Sequence, residues 1–295
     1  MPPIPAPAAS GVTSSTEVPL YWVKYGVPGA PRLLVLHGGP GAHHDYLLPQ
    51  MLELTRLAGG RELIMYDQRG GGRSKTDARE PVTWRTQVGD VAAVIREFGL
   101  DRPVIVGYSW GGLLAMLYAS EAARDPSLPR PRALVLVDPA PISRRHRETF
   151  EREFARRGSS EKVQRLRAEL AASGLRASDP DAYRQRNFEL SVAGYFQDPD
   201  DAVDLTPFRV SSRVQQSVWD SLGDFDLAQD GTLARIDLPA LIVHGRQDPI
   251  PLASSQEAAQ ILRAELVPIE NCGHVPYVEQ PEALFSAIDA FLRTL

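Results

Sequence analysis

The stretch that decides the fold is residues 104–112, VIVGYSWGG. It joins a short β-branched run to a Gly-x-Ser-x-Gly turn, and the helix-forming residues 113–123 follow it. Glycines permit a turn that is too tight for side chains, and the strain of such a turn lifts the hydroxyl of its serine clear of the sheet edge. We therefore predict a strand, a sharp turn that presents Ser109 as a nucleophile, and a helix. The alternative is an ordinary glycine-rich turn between a strand and a helix.

Strand-like and helix-like segments alternate on both sides of this turn. Apolar or alternating runs predict further strands at 17–25 (an edge strand), 33–36, 62–66, 133–137, 241–244 and 265–269. Helical spacing predicts helices at 46–57 and 84–98. Strands that alternate with helices indicate an α/β fold with a mostly parallel central sheet flanked by helices.

The character of the sequence changes in the middle of the chain. Residues 141–231 contain charge-rich helical segments and no apolar β-rich run. We predict that they form a helical cap domain, inserted into a core domain made of residues 17–140 and 232–295. Residues 1–16 are rich in Pro, Ala, Ser and Thr, and we expect them to be a disordered tail.

Composition excludes several classes of protein. The 295-residue chain has a formal net charge of −5 and one cysteine, Cys272, so nucleic acid is not an expected partner and no internal disulfide can form. No apolar run reaches the roughly 18 residues that span a bilayer, and the N-terminus lacks the features of a secretory signal. We expect no membrane partner and a cytoplasmic location. Walker A, G-x-G-x-x-G and H-E-x-x-H patterns do not occur, so no cofactor or metal is expected.

A serine nucleophile needs a base, and the base needs an acid that orients it. After a strand, turn and helix of this kind the acid comes next in the chain and the histidine last. Asp248 follows the predicted strand at 241–244, and His274 follows the one at 265–269. The carboxyl ends of parallel strands meet at one edge, so we predict a catalytic triad of Ser109, Asp248 and His274. Asp138 also ends a strand and is the less favoured acid.

Catalysis by a serine also requires two backbone amides that stabilise the oxyanion. The amide of Trp110, the residue after the serine, is one candidate. The second is assigned to Gly39 in the sequence HGGPG at 37–41, because glycine lets the backbone approach a substrate closely and Pro40 stiffens the turn.

Four motifs together resemble the proline iminopeptidase family of α/β-hydrolases. They are HGGPG at 37–41, DQRGGGRS at 67–74, GYSWGG at 107–112 and the Gly-His pair at 273–274. The resemblance implies release of an N-terminal residue, often proline, from small peptides through an acyl-enzyme. It also implies the triad and oxyanion residues named above, and a cap glutamate that binds the substrate's free amino group. The nearest counterpart of that glutamate is Glu189.

The charge of the predicted cap is uneven. Residues 144–178 contain ten Lys or Arg against five Asp or Glu, a net charge of +5, whereas residues 179–230 contain four Arg against eleven Asp or Glu, a net charge of −7. An acidic half that faces the site would attract a cationic amino terminus. The alternative is that these charges belong to solvated faces and loops.

The sequence therefore predicts a serine hydrolase that releases an N-terminal residue, with proline plausible, from short peptides. The first alternative is a carboxylesterase or lactonase that acts on small esters with the same triad. The second is a ligand-binding protein on a hydrolase scaffold that has lost catalysis. The expected partner is a short peptide or another small molecule.

Overall fold

The computed structural model describes residues 3–77, 79–203 and 205–295. Its centre is one eight-stranded sheet in the order β1-β2-β4-β3-β5-β6-β7-β8. The strands are β1 (Ala9–Val12), β2 (Tyr21–Gly26), β3 (Arg32–Leu36), β4 (Glu62–Tyr66), β5 (Val104–Tyr108), β6 (Ala133–Val137), β7 (Ala240–Gly245) and β8 (Glu265–Ile269).

The sheet is parallel from β4 to β8 and antiparallel at its other edge, where β2 pairs with both β1 and β4. Successive side chains of a strand point to opposite faces, so Leu33 and Val35 pack into one hydrophobic core while Leu34 and Leu36 pack into the other. Strands buried on both faces need continuous apolar runs. This sheet confirms the predicted α/β fold.

Helices cover both faces of the sheet. Among them, α1, α2 and α9 contribute to one core, while α11 and a 3₁₀ helix at Gln50–Gly59 contribute to the other. The helices are α1 (Trp84–Glu97), α2 (Trp110–Arg124), α3 (Arg144–Gly158), α4 (Glu161–Ala172), α5 (Leu175–Ser178), α6 (Pro180–Val192), α7 (Ser212–Leu222), α8 (Leu227–Asp230), α9 (Leu252–Leu262), α10 (Pro276–Glu279) and α11 (Pro281–Leu292). None of the described helices is both long and apolar enough to cross a membrane.

The prediction of a disordered tail over residues 1–16 is wrong for β1. This strand pairs with β2 in antiparallel register, from Ala9 opposite Lys24 to Val12 opposite Tyr21. The small side chains of β1 bury little surface. The strand is therefore ordered by its hydrogen bonds to backbone groups of β2, which would otherwise be unpaired. As a consequence β2, predicted as the edge strand, lies one strand inside the edge.

Two predicted helices have different outcomes. The helix predicted at 84–98 is α1, which begins at Trp84 with a capping box made by Thr83 and Thr86. The helix predicted at 46–57 is instead two 3₁₀ segments, His44–Leu47 and Gln50–Gly59. Pro49 separates them because it has no amide hydrogen with which to continue the first segment.

The helical segments α3 to α8 lie between β6 and β7 in the chain. Short 3₁₀ helices at Ala193–Tyr195 and Pro199–Asp201 connect some of them. We call the described residues from 141 to 231 the helical block. Phe188 and Phe196 of the block line a cavity together with Ser109, the residue that follows β5, so the block lies over the carboxyl edge of the parallel strands.

Candidate active site

Ser109 occupies the turn between β5 and α2 in a strained backbone conformation, with φ 52° and ψ −118°. Its N–H donates to the carbonyl of Val137 at 2.9 Å, and its own carbonyl accepts the N–H of Ala140 at 2.8 Å. The glycines on either side permit very close packing. A Cβ on Gly111 would lie 2.1 Å from the carbonyl oxygen of Leu36, so no larger residue fits there without movement.

The side chains of Ser109, His274 and Asp248 form a hydrogen-bonded chain. The Ser109 hydroxyl lies 3.0 Å from Nε2 of His274, and Nδ1 of His274 lies 2.7 Å from Oδ2 of Asp248. The other oxygen of Asp248 accepts the N–H of Ile250 at 2.7 Å. The structure thus brings together the three residues predicted as the triad, and Nδ1 donates to the carboxylate while Nε2 accepts from the hydroxyl.

The environment of His274 favours a neutral imidazole. The residue is buried, and burial lowers its pKa to about 4, although the charge of the nearby Glu279 opposes this shift. A neutral ring leaves Nε2 free to accept the serine proton near pH 7. Two contacts set the position of the ring. The backbone N–H of His274 donates to the carbonyl of Tyr195 at 2.7 Å, and the ring of Tyr195 stacks on the imidazole, 4.9 Å away between centroids.

The predicted oxyanion residues lie next to Ser109. Trp110 begins α2, so its amide is one of the unpaired N–H groups at a helix N-terminus, where the helix dipole favours negative charge. Gly39 has a positive φ of 55° and lines the same cavity as Ser109. Its neighbour Gly38 is so close that a Cβ there would lie 2.8 Å from Cβ of Ser109.

The glycine loop (residues 37–41) is held by the arginine loop (residues 67–74). The Gln68 N–H donates to Nε2 of His37 at 3.0 Å, and the Gln68 side chain donates to the His37 carbonyl at 2.6 Å. Burial lowers the pKa of His37 to about 4. Its neutral ring donates from Nδ1 to the Gly38 carbonyl at 2.8 Å, which leaves Nε2 as the acceptor.

The arginine loop also contacts His44, which lies just beyond the glycine loop. Its Nδ1 lies 2.6 Å from Asp67 and its Nε2 lies 3.0 Å from Asp45. Burial opposes the charged form, but the hydrogen bonds to both carboxylates raise the pKa of His44. Asp67 also accepts the N–H of Arg73 at 2.8 Å. The His44 ring, with a carboxylate against each nitrogen, therefore ties the arginine loop to the residues that follow the glycine loop.

Above Ser109 lies a small cavity of about 180 Å³, which we call the site cavity. Aromatic side chains are prominent in its wall, and the described part of the chain places no carboxylate in its lining. Residues of the helical block and of the core contribute together. The lining consists of Gly39, Tyr46, Tyr108, Ser109, Phe188, Val192, Tyr195, Phe196, Leu205, Thr206, Phe208, Val210, Gln215, His274, Val275 and Tyr277.

Glu189, predicted to bind the substrate's amino group, does not line the site cavity. Its carboxylate is buried, accepts a hydrogen bond from Gln185 at 2.8 Å and pairs with Arg186 at 3.2 Å. Successive residues of a helix point about 100° apart, and in α6 it is the neighbouring Phe188 that reaches the cavity. Helical spacing does not show which of two adjacent residues turns inward, and binding of the amino group by Glu189 stays a prediction.

Sequence reasoning missed Glu279, which holds the segment before His274 in place. One carboxylate oxygen accepts the N–H of Gly273 at 2.9 Å, and the other accepts the N–H of Gln197 from the helical block at 2.8 Å. Gln197 is 82 residues away in the chain, so no local pattern could have indicated this contact. The carboxylate of Glu279 thereby connects the helical block to the loop that carries His274.

Comparisons with known proteins agree with the fold. A sequence profile of the Alpha/beta hydrolase family matches residues 33–287. The proline iminopeptidase of Lactobacillus delbrueckii subsp. lactis is 28% identical over 269 residues, which cover 84% of this chain and 85% of that protein. The crystal structure of the proline iminopeptidase of Mycobacterium smegmatis has a TM-score of 0.67 at 24% identity, covering 97% of this chain and 98% of that one. The enol-lactonase of Burkholderia xenovorans LB400 shares the fold, with a TM-score of 0.63 at 18% identity over 96% of this chain and 99% of that one.

Proposed function

Because this chain belongs to the alpha/beta hydrolase family, as the match over residues 33–287 shows, we propose that it is a serine hydrolase. The observation that carries the proposal is the chain of hydrogen bonds from the Ser109 hydroxyl through His274 to Asp248, at 3.0 and 2.7 Å. Nucleophile, base and acid in this arrangement are the minimum set for acyl transfer to a serine.

The proposed reaction begins when the Ser109 oxygen attacks the carbonyl carbon of the substrate and its proton passes to Nε2 of His274. Asp248 holds the imidazole in the correct tautomer and stabilises the imidazolium. The amides of Gly39 and Trp110 donate to the oxyanion of the tetrahedral intermediate. His274 then gives its proton to the leaving group, which departs and leaves an acyl-enzyme.

In the second half of the reaction a water molecule replaces the leaving group. His274 takes a proton from the water, which attacks the acyl carbon, and the second tetrahedral intermediate collapses to release the acid and restore the Ser109 hydroxyl.

The helical block acts as a cap (residues 141–231) on a core formed by residues 17–140 and 232–295. This division is supported by the share of the site-cavity lining that comes from the block.

The first candidate substrate is a short peptide that loses its N-terminal residue. The relatives named proline iminopeptidase favour it, since they align over most of both chains. A small, ring-lined cavity also suits a compact apolar side chain such as that of proline. Aromatic faces can attract the cationic amino group, because a ring carries negative charge on its face.

The second candidate is a small carboxylic ester or lactone. It is favoured by the lining of the site cavity, in which no carboxylate of the described residues is available to pair with an ammonium group. Glu189 is also neutralised by Arg186, at 3.2 Å. A neutral acyl group would lose no charge-pairing when it enters such a cavity.

One comparison of substrates separates the two candidates. The purified protein is assayed on the arylamides of L-proline, L-alanine and L-leucine, on the N-acetylated form of each, and on a short-chain aryl ester. Cleavage of the free-amine arylamides with little cleavage of the blocked ones supports the aminopeptidase, and the ranking tests proline. Turnover of the ester alone supports the esterase.

A non-catalytic scaffold is tested by covalent labelling. A fluorophosphonate probe is expected to label Ser109 stoichiometrically in the wild type and to leave the Ser109→Ala variant unlabelled, because only an activated serine reacts readily with the probe. An unlabelled wild-type protein that is folded by circular dichroism would contradict the proposed function.

A further inference from the structure

Behind the triad, Asp138 ends β6 in a backbone conformation that non-glycine residues seldom adopt, with φ 41°. Its N–H donates to the carbonyl of Val243 at 2.8 Å, which holds this conformation. The side chain is fully buried. One oxygen, Oδ1, accepts the N–H of Gly245 at 2.8 Å, while Oδ2 has no hydrogen-bond donor among the described residues.

The carboxyl of Asp138 lies beside the acid of the triad. One oxygen of Asp138, one oxygen of Asp248 and one ring nitrogen of His274 all lie within 4.8 Å of one another. Two carboxylates this close in a buried site cannot both be ionised at little cost, because neither water nor distance screens their repulsion. Such a pair commonly keeps one proton between its two members.

A cationic histidine next to the two carboxyls would offset their repulsion, but His244 does not act in this way. Nδ1 of His244 lies 3.6 Å from Asp138, but it accepts a hydrogen bond from the Ser255 hydroxyl at 2.9 Å. Nε2 of His244 donates to the Ile250 carbonyl at 3.1 Å. Each ring nitrogen therefore has a role that suits the neutral ring, and burial lowers the pKa of His244 to about 3.

Other titratable groups around the pair come from every element packed against it. Arg157 of α3 is the cation among them, and its guanidinium donates to the Gln247 carbonyl. The Glu279 carboxylate is held by backbone amides. The groups that face the pair are Tyr108 at the end of β5, Arg157 in α3, Tyr195 in the 3₁₀ helix at Ala193–Tyr195, His244 in β7, Cys272 and His274 after β8, and Tyr277 and Glu279 in α10.

We propose that Asp138 is protonated in the resting protein and donates a hydrogen bond to Asp248, so that the two carboxyls share one proton and one negative charge behind His274. Asp138 is then a positioning residue, which acts on the base through the acid. With it, Asp248 accepts from Nδ1 of His274, from the Ile250 N–H and from Asp138, so its carboxylate plane is fixed. In agreement, burial raises the pKa of Asp138 well above its ordinary range, and the Asp248 charge adds to the shift. Burial also raises the pKa of Asp248, to about 8, but the hydrogen bonds from Asp138 and from the Ile250 N–H oppose this shift, so Asp248 is the carboxyl of the pair that loses its proton first.

Infrared spectroscopy tests the proton directly. The wild-type spectrum minus that of Asp138→Asn at pH 7 is expected to contain the carbonyl band of one protonated carboxylic acid. The control is Asp101→Asn, at an exposed aspartate, whose difference spectrum is expected to contain only carboxylate bands. A carboxylate band in place of the acid band for Asp138 would overturn the proposal. The measurement needs no turnover, so it stands whether or not the proposed hydrolase function does.

The positioning role rests on the proposed function and has its own kinetic test. Asparagine keeps a neutral donor at the same place, so Asp138→Asn is expected to lower kcat/KM by less than about threefold, whereas Asp138→Ala, which leaves Asp248 without this donor, is expected to lower it about tenfold. Thermal melts report whether both variants are folded. If the alanine variant is unfolded, the infrared difference spectrum decides whether the proposal stands. An asparagine variant as impaired as the alanine variant would show that Asp138 acts through its charge, against the proposal.

Discussion

At the scale of single residues, the strain at Ser109 and its flanking glycines serve one purpose. A positive φ is costly for any residue with a side chain, and here it is held by hydrogen bonds from the turn to Val137 and Ala140. The hydroxyl is thereby kept 3.0 Å from Nε2 of His274. The strained backbone of the turn therefore fixes the distance between the Ser109 hydroxyl and the His274 ring.

The roles of these residues can be tested one at a time. Ser109→Ala and His274→Ala are each expected to reduce kcat by at least about 10⁴-fold on any hydrolysed substrate, because removal of either member disables the unit. Initial rates on the aryl ester or arylamide measure the loss. Circular dichroism spectra that match the wild type serve as the control, and retention of a large share of the activity by either variant would contradict the triad.

The pH dependence follows from the environment of His274. Burial lowers its pKa to about 4, and only the neutral ring can accept the serine proton. As pH falls through the pKa the ring becomes protonated and kcat/KM falls, so activity is expected to stay level from pH 6 to 8 and to drop only near pH 4. A profile from pH 3.5 to 8 on a neutral ester, with circular dichroism at each pH, checks this. A half-maximal point near the ordinary value of 6.5 would contradict this expectation.

At the scale of elements, prediction succeeded where a strand or helix carries its own signal. The strands β3 to β7 are buried on both faces and need unbroken apolar runs, and the carboxyl ends of parallel strands share an edge, which brings Asp248 and His274 to Ser109. The order of β1 could not be predicted, because it depends on its partner β2 rather than on its own composition. The orientation of Glu189 likewise depends on Arg186 and on neighbouring helices.

The close packing of Gly111, at the start of α2, against β3 can be tested by substitution, with a glycine of α1 as the control. Gly111→Ala is expected to lower the free energy of unfolding by at least about 2 kcal/mol, because the new Cβ would lie 2.1 Å from the Leu36 carbonyl oxygen. Gly89→Ala in α1 is the control. A Cβ there meets nothing within 4 Å, so stability should rise by about 0.5–1 kcal/mol. Urea unfolding measures both, and a stabilised Gly111→Ala variant would contradict the packing.

At the scale of the whole molecule, the core carries Ser109, Asp248 and His274, and the helical block lines part of the cavity above Ser109. The site cavity of about 180 Å³ is bordered by a larger cleft of about 1060 Å³, and Phe188, Phe208 and Val210 line both. The rings of Phe188 and Phe208 pack edge to face, 5.4 Å apart between centroids. These two rings therefore lie between the site cavity and the cleft.

Removal of one ring should join the two spaces. Phe188→Ala is expected to raise kcat/KM for the aryl ester of hexanoate relative to that of acetate by about tenfold, because longer acyl chains can then extend into the cleft. The control is Phe225→Ala, at a ring of the helical block that packs on Trp84, 6.0 Å away, outside the site cavity. This variant should leave the ratio unchanged. A ratio that stays constant in Phe188→Ala as well would show that the acyl group lies elsewhere, whereas a parallel increase in both variants would point to loosening of the block as a whole.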